Sequence, residues 1–138
     1  MQFLRAVIVR SRRIPIRKRV TRILPHTLNI LITPMLELTE DNFDEMVLKS
    51  EIPVLIDFWS PTCAPCRALV PILDALARTN EDEALIAKVN VFDCPNVAQK
   101  YGVSSLPTIM IFNEGKVVER MLGVQSQEKL QEALDEVA

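Results

Sequence analysis

Val54-Leu55-Ile56-Asp57-Phe58-Trp59 leads through Ser60-Pro61-Thr62 into Cys63-Ala64-Pro65-Cys66, and the residues after it have helical periodicity. The apolar run reads as a central strand, because a sheet covered on both faces needs continuous apolar residues. Leu69, Ile72, Leu73 and Leu76 then predict a helix from about Cys66 to Arg78, with a kink at Pro71. A Cys-x-x-Cys pair at such a strand-to-helix junction is first of all a redox centre. The helix N-terminus turns unpaired N–H groups and the positive end of its dipole toward the first sulfur, which favours thiolate over thiol. Cys63 is therefore the candidate nucleophile. Cys66, one turn further in, can attack a mixed disulfide formed on Cys63 and release the product.

On either side, the chain alternates short apolar strands with amphipathic segments. Met35 to Leu38 reads as an edge strand, and Thr39 as the cap of a helix from about Asp41 to Lys49 with Phe43, Met46 and Val47 buried. Ala84 to Val91 makes a third strand, and Pro95 to Tyr101 a short helix ended by Gly102. Thr108 to Phe112 and Lys116 to Leu122 form a hairpin around Asn113-Glu114-Gly115. Ser126 caps a last helix with Leu130, Leu134 and Val137 on one face. The order β-α-β-α-β-α-β-β-α implies an α/β fold, a mixed sheet with helices on both faces.

Charge divides the 138 residues unevenly. Residues 1–36 hold eight Arg or Lys and no acid, which leaves eight basic and eighteen acidic residues and a net charge of −10 in the remainder. One domain is expected, an α/β domain over 35–138, preceded by a basic extension over 1–34. The extension reads as a disordered stretch or one upstream of a true start at Met35, as a targeting segment, or as an arm for polyanions or membranes. As a secretory signal its apolar part is interrupted by Pro25, His26, Asn29 and Pro34, and as an organelle transit peptide it has Ser11 as its single serine. No apolar span approaches the roughly 20 residues of a membrane helix, so stable membrane insertion is not expected.

Three cysteines are an odd number, and they fit a reducing compartment better than a disulfide framework. Cys94 is left over if Cys63 and Cys66 couple, and it reads either as a small semi-buried residue or as a regulatory thiol. No metal is expected: zinc needs four suitable ligands, and the three cysteines have only His26, in the extension, to join them.

Asp57-Phe58-Trp59-Ser60-Pro61-Thr62-Cys63-Ala64-Pro65-Cys66-Arg67 resembles the thioredoxin family. Pro71, Lys88, Tyr101-Gly102-Val103, Leu106-Pro107-Thr108 and Gly123 follow in the family's register. The resemblance covers about residues 35–138. It implies the thioredoxin fold, a three-layer α/β/α arrangement of about five mixed strands and four helices.

Asp57 is a carboxylate within an apolar strand, so burial should raise its pKa toward neutrality unless it points outward. The resemblance implies that it takes the proton of Cys66 through water. Lys88 resembles the family's lysine beside that aspartate, with a solvated strand-edge lysine as the alternative. Pro107 resembles the family's cis-proline, next to which a substrate segment would pair with the main chain at Ser105 and Leu106; an ordinary trans proline is the alternative. Trp59, Ala64, Pro65, Gly123 and Val124 would complete the docking surface, unless Trp59 only packs the core. Ala64 stands where the family usually has glycine, which bears on the reduction potential. Thr62 replaces a usual tryptophan, which bears on partner choice.

The resemblance implies a protein-disulfide reductase with no cofactor beyond its cysteine pair. Its partners would be disulfide-containing proteins and a flavin-dependent thioredoxin reductase using NADPH. A cytoplasmic monomer that binds no nucleic acid is expected, with an organelle or export as the alternative if residues 1–34 are a targeting segment. The alternatives in function are an oxidant, isomerase or dedicated reductase in an oxidising space, and a non-catalytic binding module. No Gly-rich dinucleotide fingerprint is present.

Overall fold

The apolar run at Val54 forms the middle of a five-stranded sheet in the computed structural model, which describes residues 35–138. The readings given for residues 1–34, His26 among them, lie outside the described residues. The strands are β1 (Leu36–Leu38), β2 (Val54–Trp59), β3 (Leu85–Asn90), β4 (Thr108–Asn113) and β5 (Lys116–Leu122), in spatial order β1-β3-β2-β4-β5. β1 and β2 both pair in parallel with β3, whereas β4 runs antiparallel to β2 and β5 antiparallel to β4. The helices are α1 (Ala64–Thr79), α2 (Pro95–Lys100) and α3 (Gln127–Val137), together with a π-helical turn at Asp44–Leu48.

Strand alternation divides the core in two. Leu55, Ile86, Ile109 and Ile111 point to one side, where they pack with Leu69, Leu73 and Leu76 of α1 and Leu130 and Leu134 of α3. Val54, Ile56, Phe58, Val89, Met110 and Phe112 point to the other, against Phe43 and Val47 beside the π-helical turn and Val97 of α2. Val137, on the same face of α3 as Leu130 and Leu134, is partly buried and packs at the rim of the first cluster. Asn80, at the end of α1, and Gln131 of α3 exchange amide hydrogen bonds of 2.7 and 2.9 Å, which ties the two helices together.

Two elements differ from the sequence expectation. α1 begins at Ala64 instead of Cys66, because Pro65 has no N–H to lose in the first turn and fits there unstrained. It also runs as one element through Pro71. An interior proline costs about 3 kcal/mol, while the buried Leu69, Leu73 and Leu76 contribute about 1.5–3 kcal/mol each. The helix expected over Asp41 to Lys49 is regular only over Asp44–Leu48, where Lys49 N–H reaches back five residues to the Asp44 carbonyl at 3.1 Å. A segment this short takes its winding from the anchoring of Phe43 and Val47 in the core, not from propensity. Thr39 caps the preceding turn: its Oγ1 accepts from Asn42 N–H, and Asn42 Oδ1 accepts from Thr39 N–H.

Candidate active site

β2 delivers the chain to the carboxyl edge of the sheet, and α1 carries it back antiparallel over the face on which Leu55 and Asp57 lie. Cys63 is the residue that caps α1, in an extended conformation, and its Sγ accepts the backbone N–H of Cys66 at 3.2 Å. Cys63 and Cys66 are joined as a disulfide with their Cα atoms 5.3 Å apart. Cys63 is half-exposed, whereas Cys66 is buried on the stripe that continues as Leu69 and Leu73. One sulfur can meet an incoming partner and the other is shielded by the protein.

Asp57 is 2% exposed, and its Oδ1 is buried without a hydrogen-bond partner. It shares with Leu55 the face of β2 over which α1 packs, two residues nearer the carboxyl end of the strand. Burial pushes its carboxyl up to about 7, and the Lys88 ammonium pulls against that rise. Lys88 stands beside Asp57 in register on β3, and its Nζ lies 4.9 Å from the centre of the Trp59 ring. Trp59 is half-buried with its Nε1 enclosed, so it belongs partly to the core and partly to the surface.

The Leu106-Pro107 bond is cis. Pro107 is buried, and its carbonyl accepts the N–H of Gly123 at 2.9 Å, which brings the residues after β5 beside those before β4. Val124 is 46% exposed next to Gly123, Ser105 is exposed and Leu106 half-buried. The Ser105 carbonyl already accepts from Thr108 Oγ1 at 2.6 Å. Ala64 and Pro65 are exposed on the first turn of α1.

The thioredoxin family profile matches residues 34–136. The chain is 42% identical over 97 residues to Thioredoxin 1 of Synechococcus elongatus, covering 70% of this chain and 91% of that protein. It is 39% identical over 99 residues to Thioredoxin 1 of a Nostoc species, covering 72% and 92%. It is 45% identical over 84 residues to the chloroplastic M-type thioredoxin of Chlamydomonas reinhardtii, covering 61% and 60%. The chain belongs to the thioredoxin family.

It is a thiol-disulfide oxidoreductase, a protein-disulfide reductase that works through its own cysteine pair. As in other thioredoxins, its substrates carry disulfides and a reductase restores the dithiol. Among the described residues, no cluster of His, Cys, Asp and Glu could hold a metal ion, and no helix is long and apolar enough to cross a membrane.

Cys94 stands apart from this chemistry. It is buried on the opposite face of the sheet, and its thiol donates to the Leu38 carbonyl at 3.7 Å. Burial, with the Glu40 and Asp93 carboxylates nearby, pushes the thiol pKa up. The inert reading of this cysteine is the one its surroundings support.

Two residues near the site are absent from the sequence reading. Glu37 of β1 lies in register with Lys88, and its Oε2 is 3.9 Å from Lys88 Nζ. The charge between Leu36 and Leu38 was visible, but its neighbour on β3 was not. Phe92, 65% exposed, emerges just beyond β3 at the same sheet edge as Cys63. An aromatic between Val91 and Asp93 at the end of a strand was the available signal. Thr62 is exposed on the turn before Cys63.

Proposed function

We propose that the Cys63 thiolate attacks one sulfur of a substrate disulfide and expels the other as a thiolate, giving a mixed disulfide. The Cys66 thiolate then attacks the Cys63 sulfur, breaks its bond to the substrate and releases the second substrate sulfur as a thiolate, which takes a proton from solvent. Two electrons pass to the substrate, and the Cys63–Cys66 disulfide forms. Asp57 accepts the Cys66 proton before that second attack, with Lys88 as an accessory charge. The observation that carries the reading is the 3.2 Å hydrogen bond from Cys66 N–H to Cys63 Sγ, on a cysteine that is half-exposed while its neighbour is buried. Trp59, Ala64, Pro65, Ser105, Leu106, Pro107, Gly123 and Val124 form the docking surface, a reading supported by their position around the cysteines at one sheet edge.

Recycling falls to a flavin-dependent, NADPH-using thioredoxin reductase. The domain over 35–138 acts as a monomer, with residues 1–34 as a separate basic extension. The charge of −10 beyond residue 36 speaks against nucleic acid as its partner. A cytoplasmic role in redox homeostasis fits two cysteines that shuttle and a third left unpaired. A chloroplast or other organelle is the second reading, supported by the acid-free extension and by the chloroplastic relatives. Mass spectrometry of the native N-terminus separates the two, since a processed chain starts inside the extension or at its end.

Insulin reduction by dithiothreitol tests the chemistry. Wild-type protein accelerates it and Cys63→Ser does not; equal rates for the two would sink the catalytic role. Equilibration against glutathione tests the direction, and a potential near about −120 mV would overturn the reductase reading.

A further inference from the structure

Register places Glu37 of β1, Lys88 of β3, Asp57 of β2 and Ile109 of β4 side by side in one row across the sheet. Neighbouring strands are about 4.8 Å apart, so Lys88 has one carboxylate on each side at similar backbone distance. Its ammonium goes to the outer one. Lys88 Nζ is 3.9 Å from Glu37 Oε2, and among the described residues no ion pair joins Lys88 to Asp57. The Trp59 ring, 4.9 Å from the same Nζ, is the ammonium's second contact.

We propose that Glu37 is a positioning residue, which holds the Lys88 ammonium at the sheet edge and so leaves the Asp57 carboxyl unpaired in the apolar layer. A closer Lys88 ammonium would make the Asp57 carboxylate a weaker base; kept at a distance, it leaves burial to hold the carboxyl's proton exchange near neutrality. Three neighbouring elements set its charge environment. β3 contributes the Lys88 ammonium, β1 contributes Glu37 on its far side, and α1 begins at the Cys63–Cys66 disulfide, which carries no charge. β4 contributes the neutral Ile109. Asp74 lies about 12 Å further along α1 from Cys66, toward the start of β2.

The functional weight of this inference rests on the proposed proton transfer through Asp57, whereas its electrostatic content does not. The test therefore reads Asp57 directly, by carboxyl carbon NMR titration of the full oxidised chain, in which Cys63 and Cys66 do not titrate; Asp57→Asn assigns the signal. In Glu37→Gln the ammonium is released toward Asp57, and the Asp57 midpoint falls by about half a pH unit, the size a half-exposed ion pair supports. In Lys88→Gln the midpoint rises, and adding Glu37→Gln to that variant moves it no further. An unchanged midpoint in Glu37→Gln overturns the proposal, as does an equal shift in the Lys88→Gln background. If the midpoint moves as expected while the pH profile of mixed-disulfide release does not follow it, Glu37 still positions Lys88, and it is the proton transfer by Asp57 that fails.

Discussion

Cys66 donates its backbone N–H to Cys63 Sγ, so the first turn of α1 binds the sulfur that caps it. The contact and the helix dipole both favour negative charge on that sulfur in the reduced protein. Cys66 and Cys94 lack this combination of exposure and stabilisation, being buried at 2% each, and the Cys94 thiol is also pushed up. Brief alkylation of the reduced native protein with iodoacetamide at neutral pH is expected to modify Cys63 at least about tenfold faster than either other cysteine. Peptide mass spectrometry over a time course reads the three rates separately. Comparable labelling of Cys94 would contradict its placement.

Asp57 makes stability depend on pH. Its carboxyl has a pKa of about 7 in the folded protein against 3.8 for the ordinary group. Between those values the folded chain holds a proton that the unfolded chain has lost, so stability falls as pH rises through that window and levels off above about 7. At about 1.36 kcal/mol per unit, the total is on the order of 4 kcal/mol. Asp57→Asn removes the ionisation. Urea denaturation of the oxidised protein should show the variant more stable than wild type by roughly 1.6 kcal/mol at about pH 5 and by about 4 kcal/mol at about pH 8.5. A wild-type stability that is flat across this range would mean that Asp57 is not held protonated.

Gly115 turns the β4–β5 hairpin with φ +77, after Glu114 at φ 52. A Cβ at Gly115 would also stand 2.9 Å from the Leu48 carbonyl oxygen at the end of the π-helical turn. Gly115→Ala therefore combines left-handed backbone strain with a clash against main chain, an expected loss of about 2–3 kcal/mol in chemical denaturation. Val54, at the start of β2, pairs with Phe112, so the hairpin lies at the sheet end remote from Cys63. The folded variant should keep wild-type insulin reduction.

The sequence made some of these relationships legible and concealed others for a definite reason. β2 could be bounded to the residue because its apolar run is continuous and breaks at Ser60. Asp57 could be placed in the interior because apolar neighbours flank it on both sides. Cys63 as the cap of α1 came out only in the structure, since the expected start at Cys66 overlooked how well Pro65 fits a first turn. The Glu37–Lys88 pair was invisible because it depends on the register of two strands separated by about fifty residues. The π winding at Asp44–Leu48 was equally hidden, being set by the contacts of Phe43 and Val47 with distant strands.

Phe92 is the large apolar side chain with the greatest exposure among the described residues, at 65%, and its place at the sheet edge is expected to give it a part in docking substrates. β2 and β3 pair up to Trp59 and Asn90, and Val91 N–H extends the pairing to the Trp59 carbonyl. Phe92 follows directly, its own N–H held by Asn90 Oδ1 at 2.9 Å. The turn before Cys63 carries the small, exposed Thr62, so Phe92 can supply apolar area that this turn does not. Being exposed, it contributes little to the fold, and Phe92→Ala should change stability by less than about 0.5 kcal/mol. Partial burial of the ring against a protein substrate is worth roughly 1 kcal/mol, so KM for insulin should rise about fivefold with kcat nearly unchanged. Reduction of a small aromatic disulfide, which touches only the cysteines, should proceed at the wild-type rate. An equal loss on both substrates would place Phe92 in the chemistry of the cysteine pair, and no loss on either would remove it from the docking surface.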